Sequence, residues 1–424
     1  MVHLTVFHLL ASLVGAATII APLSPKPPNV YILTDISNEP DDAQSLVRLL
    51  LYSNEVNILG LAATTSVWLN KTTRPDLIHN IIDAYGKVEH TLKLHSASYP
   101  TAESLHLVVR SGSHTYGSHV FKEAPSAAVL HLIETVDSLS SGEYLWVQFW
   151  GGPSILAHAL HVVDSTRAEG EIQEFLDKIR IRAKFPSLFY IVSVHGWNQY
   201  GCSTWIGPFG ALYPETMFIM EGDTPALLYI VPNGPGDPER PEYGNWGGRY
   251  VPVDQSLAVR TYSDTADLVI VNGREYKSRQ ATVWRWREAY QMDFAARMQW
   301  TLGSDGNHHP QVVVNGSLSS APLTVILCKD ETEVILDASM SSDPDGDDLD
   351  FKWTQYHESS ATRWTAQAEV PSVEIMPITR GLVDAMEFHI ILEVLDNGTP
   401  PLRTYKRIIV VRGNGQCSVN HDEL

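Results

Sequence analysis

Four carboxylates follow an apolar run near the beginning of the chain. In the segment YILTDISNEPDDAQSLVRLLLY, Asp35, Glu39, Asp41 and Asp42 lie within eight positions of one another. A helix N-terminus stabilises one or two such charges, by about 0.3–1 kcal/mol each, and does not account for four. Calcium takes about six to eight oxygen ligands and favours clustered carboxylates. The segment therefore predicts a calcium site, and capping of a helix by Asn38 with solvated acids is the alternative.

Two later segments have the same kind of chemistry. In WVQFWGGPSILAHAL, a strand-like run ends in a Gly-Gly-Pro loop that can offer backbone carbonyls to a metal. In FIMEGDTPALL, a strand-like run leads to Glu221 and Asp223, and Thr224-Pro225 then opens a helix as its cap and first residue. Asp223 is thus another carboxylate at a strand end, far away in sequence.

The elements that must position these residues form an alternating pattern up to about residue 303. The runs NVYILTD, VNILGLAATTS, YLWVQFWGG, LFYIVSV and MFIMEGD are short and almost continuously apolar, and segments with helical spacing separate them. This pattern predicts an α/β domain with a central, mostly parallel sheet flanked by helices, closed by one long helix over ATVWRWREAYQMDFAARMQW. The first strand should end at Thr34 and the helix should begin at Pro40. The acidic loop then lies at the carboxyl edge of the sheet, where α/β folds bind ligands.

The alternation of strand-like and helical segments ends after about residue 303. We expect a linker over residues 304–320 and an immunoglobulin-like β-sandwich over residues 321–413, because short alternating strands and turn signals such as SDPDGDD and DNGTPP recur there. Asp343, Asp345 and Asp347 could hold calcium, but a turn stabilised by Asx hydrogen bonds is the favoured explanation.

Both ends of the chain indicate the secretory pathway. Residues 1–21 have the pattern of a signal peptide, and no other apolar run is long enough to cross a bilayer. The tail, residues 414–424, ends in HDEL, which predicts retrieval to the lumen of the endoplasmic reticulum, with secretion as the alternative. Asn70, Asn315 and Asn397 are potential glycosylation sites. A net charge of −19 argues against a nucleic-acid partner.

Several segments together resemble a known family. They are LTDISNEPDDAQSLVRLL, ATTSVWLNKTTRPDLIHNIIDAYG, FPSLFYIVS, MEGDTPALLYIVPNG, PEYGNWGGRY and LDASMSSDPDGDDLDFKW. The chain resembles cellulose-binding proteins that have a nucleoside-hydrolase-like N-terminal domain and an immunoglobulin-like C-terminal domain. The resemblance covers most of the chain, and it implies that residues 26–303 form the nucleoside-hydrolase-like domain.

The more distant resemblance to nucleoside hydrolases implies roles for individual residues. Those enzymes hold a calcium ion with a loop of the form Asp-x-Asp-x-x-x-Asp-Asp, of which this chain keeps the first, third and fourth acids. The resemblance implies calcium ligation by Asp35, Asp42, Asp223 and the carbonyl of Ser154. Ser37 stands where those enzymes have the Asp that acts as ligand and general base. Gly222 stands where many of them have a His near the leaving group.

Taken together, these features predict calcium-dependent hydrolysis of an N- or O-glycosyl bond. Glu39 and Asp41 are the candidate catalytic residues, and the partner is a carbohydrate or nucleoside-like small molecule. The candidate substrate-binding residues are Asn38, Glu221, Trp68, Trp197, Tyr243 and Trp246, the aromatic ones because sugar faces bind apolar platforms. The alternative is a carbohydrate-binding protein without turnover, since the usual base and leaving-group acid are both absent.

Overall fold

The structure is a computed structural model of the chain. It describes residues 18–20, 25–37, 39–180, 190–192, 221–254, 260–271, 273–327, 333–360, 369–371, 375–379 and 387–412. Predictions on Asn38, Trp197, the run MFIM and the HDEL tail lie outside the described residues.

The helices and strands are numbered in chain order. The α-helices are α1 (Asp41–Leu51), α2 (Pro75–Gly86), α3 (Glu89–His95), α4 (Ala102–His106), α5 (Ala127–Ser138), α6 (Ser154–Thr166), α7 (Glu169–Asp177), α8 (Thr224–Ile230), α9 (Ala281–Trp284) and α10 (Arg287–Trp300). The strands of the first half are β1 (Thr18–Ile20), β2 (Asn29–Thr34), β3 (Asn57–Ala63), β4 (Val109–Ser111), β5 (Leu145–Phe149), β6 (Ile179–Arg180), β7 (Tyr190–Val192), β8 (Tyr250–Pro252) and β9 (Thr261–Asp264). The remaining strands are β10 (Asp267–Val271), β11 (Arg274–Ser278), β12 (Leu323–Leu327), β13 (Glu333–Asp337), β14 (Leu349–Gln355), β15 (Glu369–Pro371), β16 (Ile375–Thr379), β17 (Glu387–Asp396) and β18 (Arg403–Arg412).

Among the described residues, the central sheet has five parallel strands in the order β4-β3-β2-β5-β6. Both of its faces are covered, which explains the continuous apolarity of its strands. Along β2, Val30 and Ile32 face a core that includes Leu46 of α1, whereas Tyr31 and Leu33 face a core formed with α5 and α6. The prediction of an α/β domain with a parallel central sheet is confirmed.

The order of the strands determines where the acidic loop lies. The chain builds outward from β2 through β3 to β4, and then crosses to the other side of β2 to add β5 and β6. The carboxyl ends of β2 and β5 therefore flank the point where the direction of winding changes. Ligands of doubly wound folds bind in the crevice at such a point.

Three predictions about this domain are wrong in detail. The run LFYIVSV is predicted to lie in the central sheet, but its described part, β7, pairs with β9 in a three-stranded sheet with β8 that no described strand joins to the central sheet. The segment predicted as a single long helix forms two helices, α9 and α10, which are separated by the non-helical residues 285–286. Helix α1 begins at Asp41, one residue after Pro40.

The C-terminal part is a β structure with its own core around the buried Trp353. Six strands form a mixed sheet in the order β1-β12-β18-β17-β14-β15, in which β12 and β18 are parallel, and β13 pairs with β16. The immunoglobulin-like assignment stays a prediction. The edge strand β1 falls inside the segment 1–21 predicted as a signal peptide, so cleavage after residue 21 would remove it.

The two parts are joined by a shared core. Tyr356 and Tyr405 of the C-terminal part belong to the same buried cluster as Leu46 and Tyr290 of the first domain. Arg407 is buried and donates a hydrogen bond to the carbonyl of Tyr243 (2.6 Å). The predicted linker, residues 304–320, has no helix and only isolated β-bridges, and it contributes buried residues to the C-terminal core. In the described part of the chain, no helix is long and apolar enough to cross a membrane.

Candidate functional site

A crevice of about 380 Å³ lies at the carboxyl edge of the central sheet. Its walls come from the loops after β2, β3 and β5, from residue 116 and from the segment before α8. The lining residues are Asp35, Glu39, Asp41, Asp42, Ser66, Val67, Trp68, Tyr116, Trp150, Gly151, Gly152, Pro153, Gly222 and Asp223. The acidic loop predicted to lie at this edge does so.

Three carboxylates converge inside the crevice. Asp41, Asp42 and Asp223 each offer an oxygen, and these atoms lie within 4.8 Å of one another. Asp41 and Asp42 occupy the first turn of α1, where the positive end of the helix dipole favours negative charge. The hydroxyl of Thr34, at the end of β2, donates a hydrogen bond to Asp42. Strand β2 and helix α1 therefore both fix the position of the Asp42 carboxylate.

Asp223 reaches the site through a set of contacts between α1 and the segment before α8. The Arg48 guanidinium forms a two-point ion pair with Glu221, with N–O distances of 2.5 and 2.9 Å. The backbone N–H of Glu221 donates to Gln44 Oε1 (2.8 Å). Glu221 has a φ of +50°, a left-handed conformation that is uncommon outside glycine. These contacts position Asp223 against the first turn of α1.

Among the described residues, the convergence brings several negative charges into one buried place. Burial, the negative charge of Asp42 and then that of Asp41 raise the pKa of the Asp223 carboxyl well above its usual value. Burial and the charge of Asp35 do the same to the pKa of Asp42. Asp41 Oδ1 and Asp223 Oδ2 are buried and have no hydrogen-bond partner. Buried polar atoms without partners are rare in folded proteins, and two of them on residues of one acidic cluster fit a bound cation.

Asp35 and Glu39 line the same crevice beside this cluster. Asp35 is buried, and desolvation raises its pKa, partly offset by a hydrogen bond to Ser66. Glu39 is half-buried on the loop between β2 and α1. Between them, Ser37 is exposed and has a φ of +115°, which side-chain-bearing residues rarely adopt. Such strain is concentrated at functional loops.

The Gly-Gly-Pro loop lies directly against the acidic loop. A Cβ on Gly151 would lie 2.6 Å from the Asp35 amide nitrogen and 2.7 Å from its Oδ1. A Cβ on Gly152 would lie 2.1 Å from the carbonyl oxygen of Thr65. Both positions therefore require glycine for close approach of the backbone. Ser154 is the first residue of α6, its hydroxyl lies 3.1 Å from that of Thr64, and it does not line the crevice.

Two exposed aromatic rings line the opening. Trp68 follows β3 and is 58% exposed, and Tyr116 is 41% exposed. Trp150, directly after β5, also lines the crevice, is buried, and donates a hydrogen bond to Gln148 Oε1 (3.2 Å). The sequence reasoning identified Trp68 but missed Tyr116. The only available signal was an aromatic residue in the polar segment SGSHTYGSH.

Two family models match the chain. Residues 29–207 and 205–250 match the nucleoside hydrolase-like domain of cellulose-binding Sde182. Residues 333–412 match the C-terminal domain of cellulose-binding protein Sde0182. The chain belongs to the cellulose-binding Sde182 family.

A solved structure is similar over almost the whole chain. It is a nucleoside hydrolase-related hypothetical protein from Saccharophagus degradans that is associated with carbohydrate metabolism. It is 28% identical, with a TM-score of 0.75, and the match covers 92% of this chain and 100% of that one. No curated protein matches the chain.

Three predicted substrate-binding residues of this Sde182-family chain lie elsewhere. Glu221 is held in its ion pair with Arg48. Tyr243 is buried, with its ring edge-to-face on His389 at 4.7 Å. Trp246 is 2% exposed and packs edge-to-face on Tyr290. None of the three lines the crevice. Glu221 lies beside it but is turned to Arg48, whereas the Gly- and Pro-rich segment that contains Tyr243 and Trp246 packs into the domain junction.

The predicted glycosylation sites differ in accessibility. Asn70 and Asn397 are exposed, and Asn397 Oδ1 accepts a hydrogen bond from the Asp348 N–H (3.0 Å). Asn315 is half-buried, and its Nδ2 donates to the carbonyl of Ile335 (3.0 Å). A glycan on Asn315 would replace one hydrogen of this amide. Glycosylation at the three positions stays a prediction.

Proposed function

We propose that the crevice binds calcium together with a carbohydrate and hydrolyses a glycosyl bond of that carbohydrate. The observation that carries the proposal is the convergence of Asp41, Asp42 and Asp223, with two buried oxygens that have no partner. The family, described as cellulose-binding with a nucleoside hydrolase-like domain, supports a sugar-containing ligand.

The residues present suit calcium better than softer metals. All the acidic side chains of the crevice supply oxygen, and carboxylate oxygen favours hard cations. Asp42 and Asp223 are the proposed ligands that the resemblance and the convergence have in common. Asp41 is added because its oxygen lies close to theirs. Asp35, which lines the same crevice, is a further candidate. Ligation by the Ser154 carbonyl remains part of the proposal. When bound, calcium would supply positive charge that orients a water molecule and lowers its pKa.

The other groups of the crevice have roles that follow from their position. Glu39 is half-buried on the rim, so it is the candidate general base that removes a proton from the attacking water. Because residue 222 is Gly and offers no acid, the departing group leaves with the electrons of the glycosyl bond and takes its proton from solvent. Asp41 helps hold that water by accepting a hydrogen bond. Trp68 and Tyr116 offer their exposed faces to a sugar ring. The remaining carboxylates stabilise the oxocarbenium-like positive charge that develops as the glycosyl bond breaks.

A non-catalytic carbohydrate-binding protein is the second candidate. Ser37 stands where nucleoside hydrolases have a carboxylate that acts as the base, and Gly222 stands where many have a histidine. In this second proposal the crevice keeps the metal and the aromatic platforms but, without those two groups, binds sugar and does not hydrolyse it.

We further propose a cellular location and a form for the second domain. The predicted signal peptide and the terminal His421-Asp422-Glu423-Leu424 support entry into the secretory pathway and retrieval to the endoplasmic reticulum, with secretion as the alternative. The antiparallel pairs of β14, β17 and β18 are compatible with an immunoglobulin-like sandwich.

The test is release of p-nitrophenol from a panel of pentofuranosides and pyranosides, and of free base from nucleosides, with and without a calcium chelator. Asp42→Asn removes a proposed ligand, and Asp76→Asn is the matched control on the surface of α2. Turnover that is abolished by the chelator and by Asp42→Asn, but not by Asp76→Asn, is the expected result. Calcium-loaded protein that retains a sugar and turns over no substrate would contradict hydrolysis and favour the binding protein.

A further inference from the structure

A second acidic cluster lies in the C-terminal part, on the loop that leads into β14. Asp343, Asp345 and Asp347 each offer a carboxylate oxygen, and these atoms lie within 4.8 Å of one another. Asp343 Oδ1 accepts hydrogen bonds from the N–H groups of Asp345 (2.8 Å) and Asp347 (3.2 Å). These are the Asx-turn bonds that the sequence predicts. They use one oxygen of Asp343, and its other oxygen, Oδ2, is buried without a partner.

An independent observation comes from Asp396, on the neighbouring strand. Asp396 is only 3% exposed and ends β17, where it pairs in register with Leu349 at the start of β14. Its Oδ1 is fully used by Asn307 and by the N–H groups of Gly398 and Leu402. Its Oδ2 is buried and has no partner.

Asp396 lies beside the loop, because its neighbour Asn397 accepts a hydrogen bond at Oδ1 from the N–H of Asp348, the residue after Asp347 (3.0 Å). A nine-tenths-buried carboxylate with an unpaired oxygen is unfavourable unless a cation lies beside it. An Asx turn alone accounts for the loop bonds but not for this oxygen.

We propose that Asp343, Asp345 and Asp347, with Asp396 behind them, form a calcium site that is separate from the crevice. The donor set is entirely carboxylate oxygen, which favours a hard cation. The turn bonds hold Asp343 in place and leave its Oδ2 for the metal. The proposal of this calcium site does not depend on the proposed glycosidase activity.

This site also lies against the domain junction. The N–H of His308 donates to Asp345 (2.7 Å), and its ring Nδ1 lies 3.0 Å from the same carboxylate. The His308 ring stacks on Trp300 of α10 and lies 3.0 Å from His95 of α3. A cation that holds Asp345 therefore also holds His308 against the first domain.

The test is calorimetric titration of the metal-free full chain with calcium chloride. The variants are the loop pair Asp345→Asn/Asp347→Asn, the crevice pair Asp42→Asn/Asp223→Asn, and Asp348→Asn as a control that removes one exposed charge from the same loop. We expect the loop pair to lose one calcium per chain and the crevice pair to lose the other, while Asp348→Asn keeps both. Asp396→Asn should weaken the loop site by about tenfold or more.

The outcomes separate the two proposed sites. Loss of a calcium from the loop pair alone supports the loop site and contradicts the crevice site. Unchanged stoichiometry in the loop pair, with intact folding by circular dichroism, overturns the loop site and leaves an Asx turn. Loss of all bound calcium in the crevice pair also overturns the loop site. The crevice pair keeps only the loop site. We therefore also expect calcium to protect this variant against thermal unfolding more than magnesium does.

Discussion

Arg48 and Glu221, 173 positions apart in the sequence, form a two-point ion pair with N–O distances of 2.5 and 2.9 Å. The Arg48 side chain is fully buried, and that of Glu221 is 10% exposed. The pair joins helix α1, which begins with Asp41 and Asp42, to the segment that carries Asp223. It therefore determines whether the three carboxylates of the crevice meet.

Replacing Glu221 by Gln should destabilise the protein by about 3–5 kcal/mol, because it leaves the buried Arg48 charge without its counter-charge. The free energy of unfolding measured by urea denaturation checks this. Asp76→Asn, which breaks an exposed pair with Arg74, is the control and should leave stability unchanged. A change in Glu221→Gln no larger than in that control would contradict the structural role of the pair.

Protonation of Asp42 and Asp223 should stabilise the metal-free protein as the pH falls toward the unfolded pKa of about 3.9. The raised pKa values of Asp42 and Asp223 mean that the folded protein binds protons that the unfolded chain has released. Their contribution to stability is complete below the unfolded pKa, about 3.9, and is lost as the pH rises through the folded values. Unfolding in chelator, compared between the wild type and Asp42→Asn/Asp223→Asn, isolates this contribution.

In saturating calcium, the stability of the protein should instead decrease as the pH falls, because protons compete with the metal for the same oxygens. The stabilisation by calcium should therefore shrink toward low pH in the wild type. If calcium stabilises the wild type and the crevice pair equally at neutral pH, the crevice does not bind it.

Trp68→Ala and Tyr116→Ala should each weaken sugar binding by about fivefold to tenfold, which corresponds to about 1–1.4 kcal/mol. Both rings are exposed at the crevice, so their loss removes contact area without disturbing the core. Phe121→Ala is the matched control, since this ring is 40% exposed nearby but does not line the crevice. Affinity for soluble oligosaccharides is the measurement, and equal losses in all three variants would exclude a specific platform.

Gly151→Ala should destabilise the protein by about 1–3 kcal/mol and weaken calcium binding. The added methyl group would lie within 2.7 Å of two Asp35 atoms, so the loop after β5 must move away from the acidic loop. Gly170→Ala is the control, because a Cβ there meets nothing within 4 Å. Thermal unfolding with and without calcium distinguishes the two variants. A Gly151→Ala protein that behaves like the control would show that the loops are not in tight contact.

The central sheet and the place of its acidic loop could be predicted because the signals are local. The run NVYILT is apolar at every position from Val30 to Leu33, so it had to be a strand buried on both faces. A loop that follows such a strand and precedes a helix must lie at the carboxyl edge of the sheet. The convergence of Asp42 and Asp223 could be expected for the same reason, since each follows a strand-like run.

The roles of Glu221, Tyr243 and Trp246 could not be predicted in this way. Each lies in a segment rich in Gly, Pro and acidic residues, which is typical of exposed loops. Their burial depends on Arg48, His389 and Tyr290, which come from other parts of the chain. The separate sheet of β7, β8 and β9 was likewise hidden, because a strand's own residues do not specify its partner.

By itself, the sequence determined the α/β character of the first domain, the β character of the second and the acidic edge of the crevice. These features depend on hydrophobic periodicity and on turn chemistry, which act within a few residues. Only the tertiary structure decided that Asp41 joins Asp42 and Asp223, that Tyr116 faces the crevice, and that Asp396 lies behind the loop of Asp343. These relationships depend on packing between distant segments, since burial and unpaired charge arise only when the elements come together.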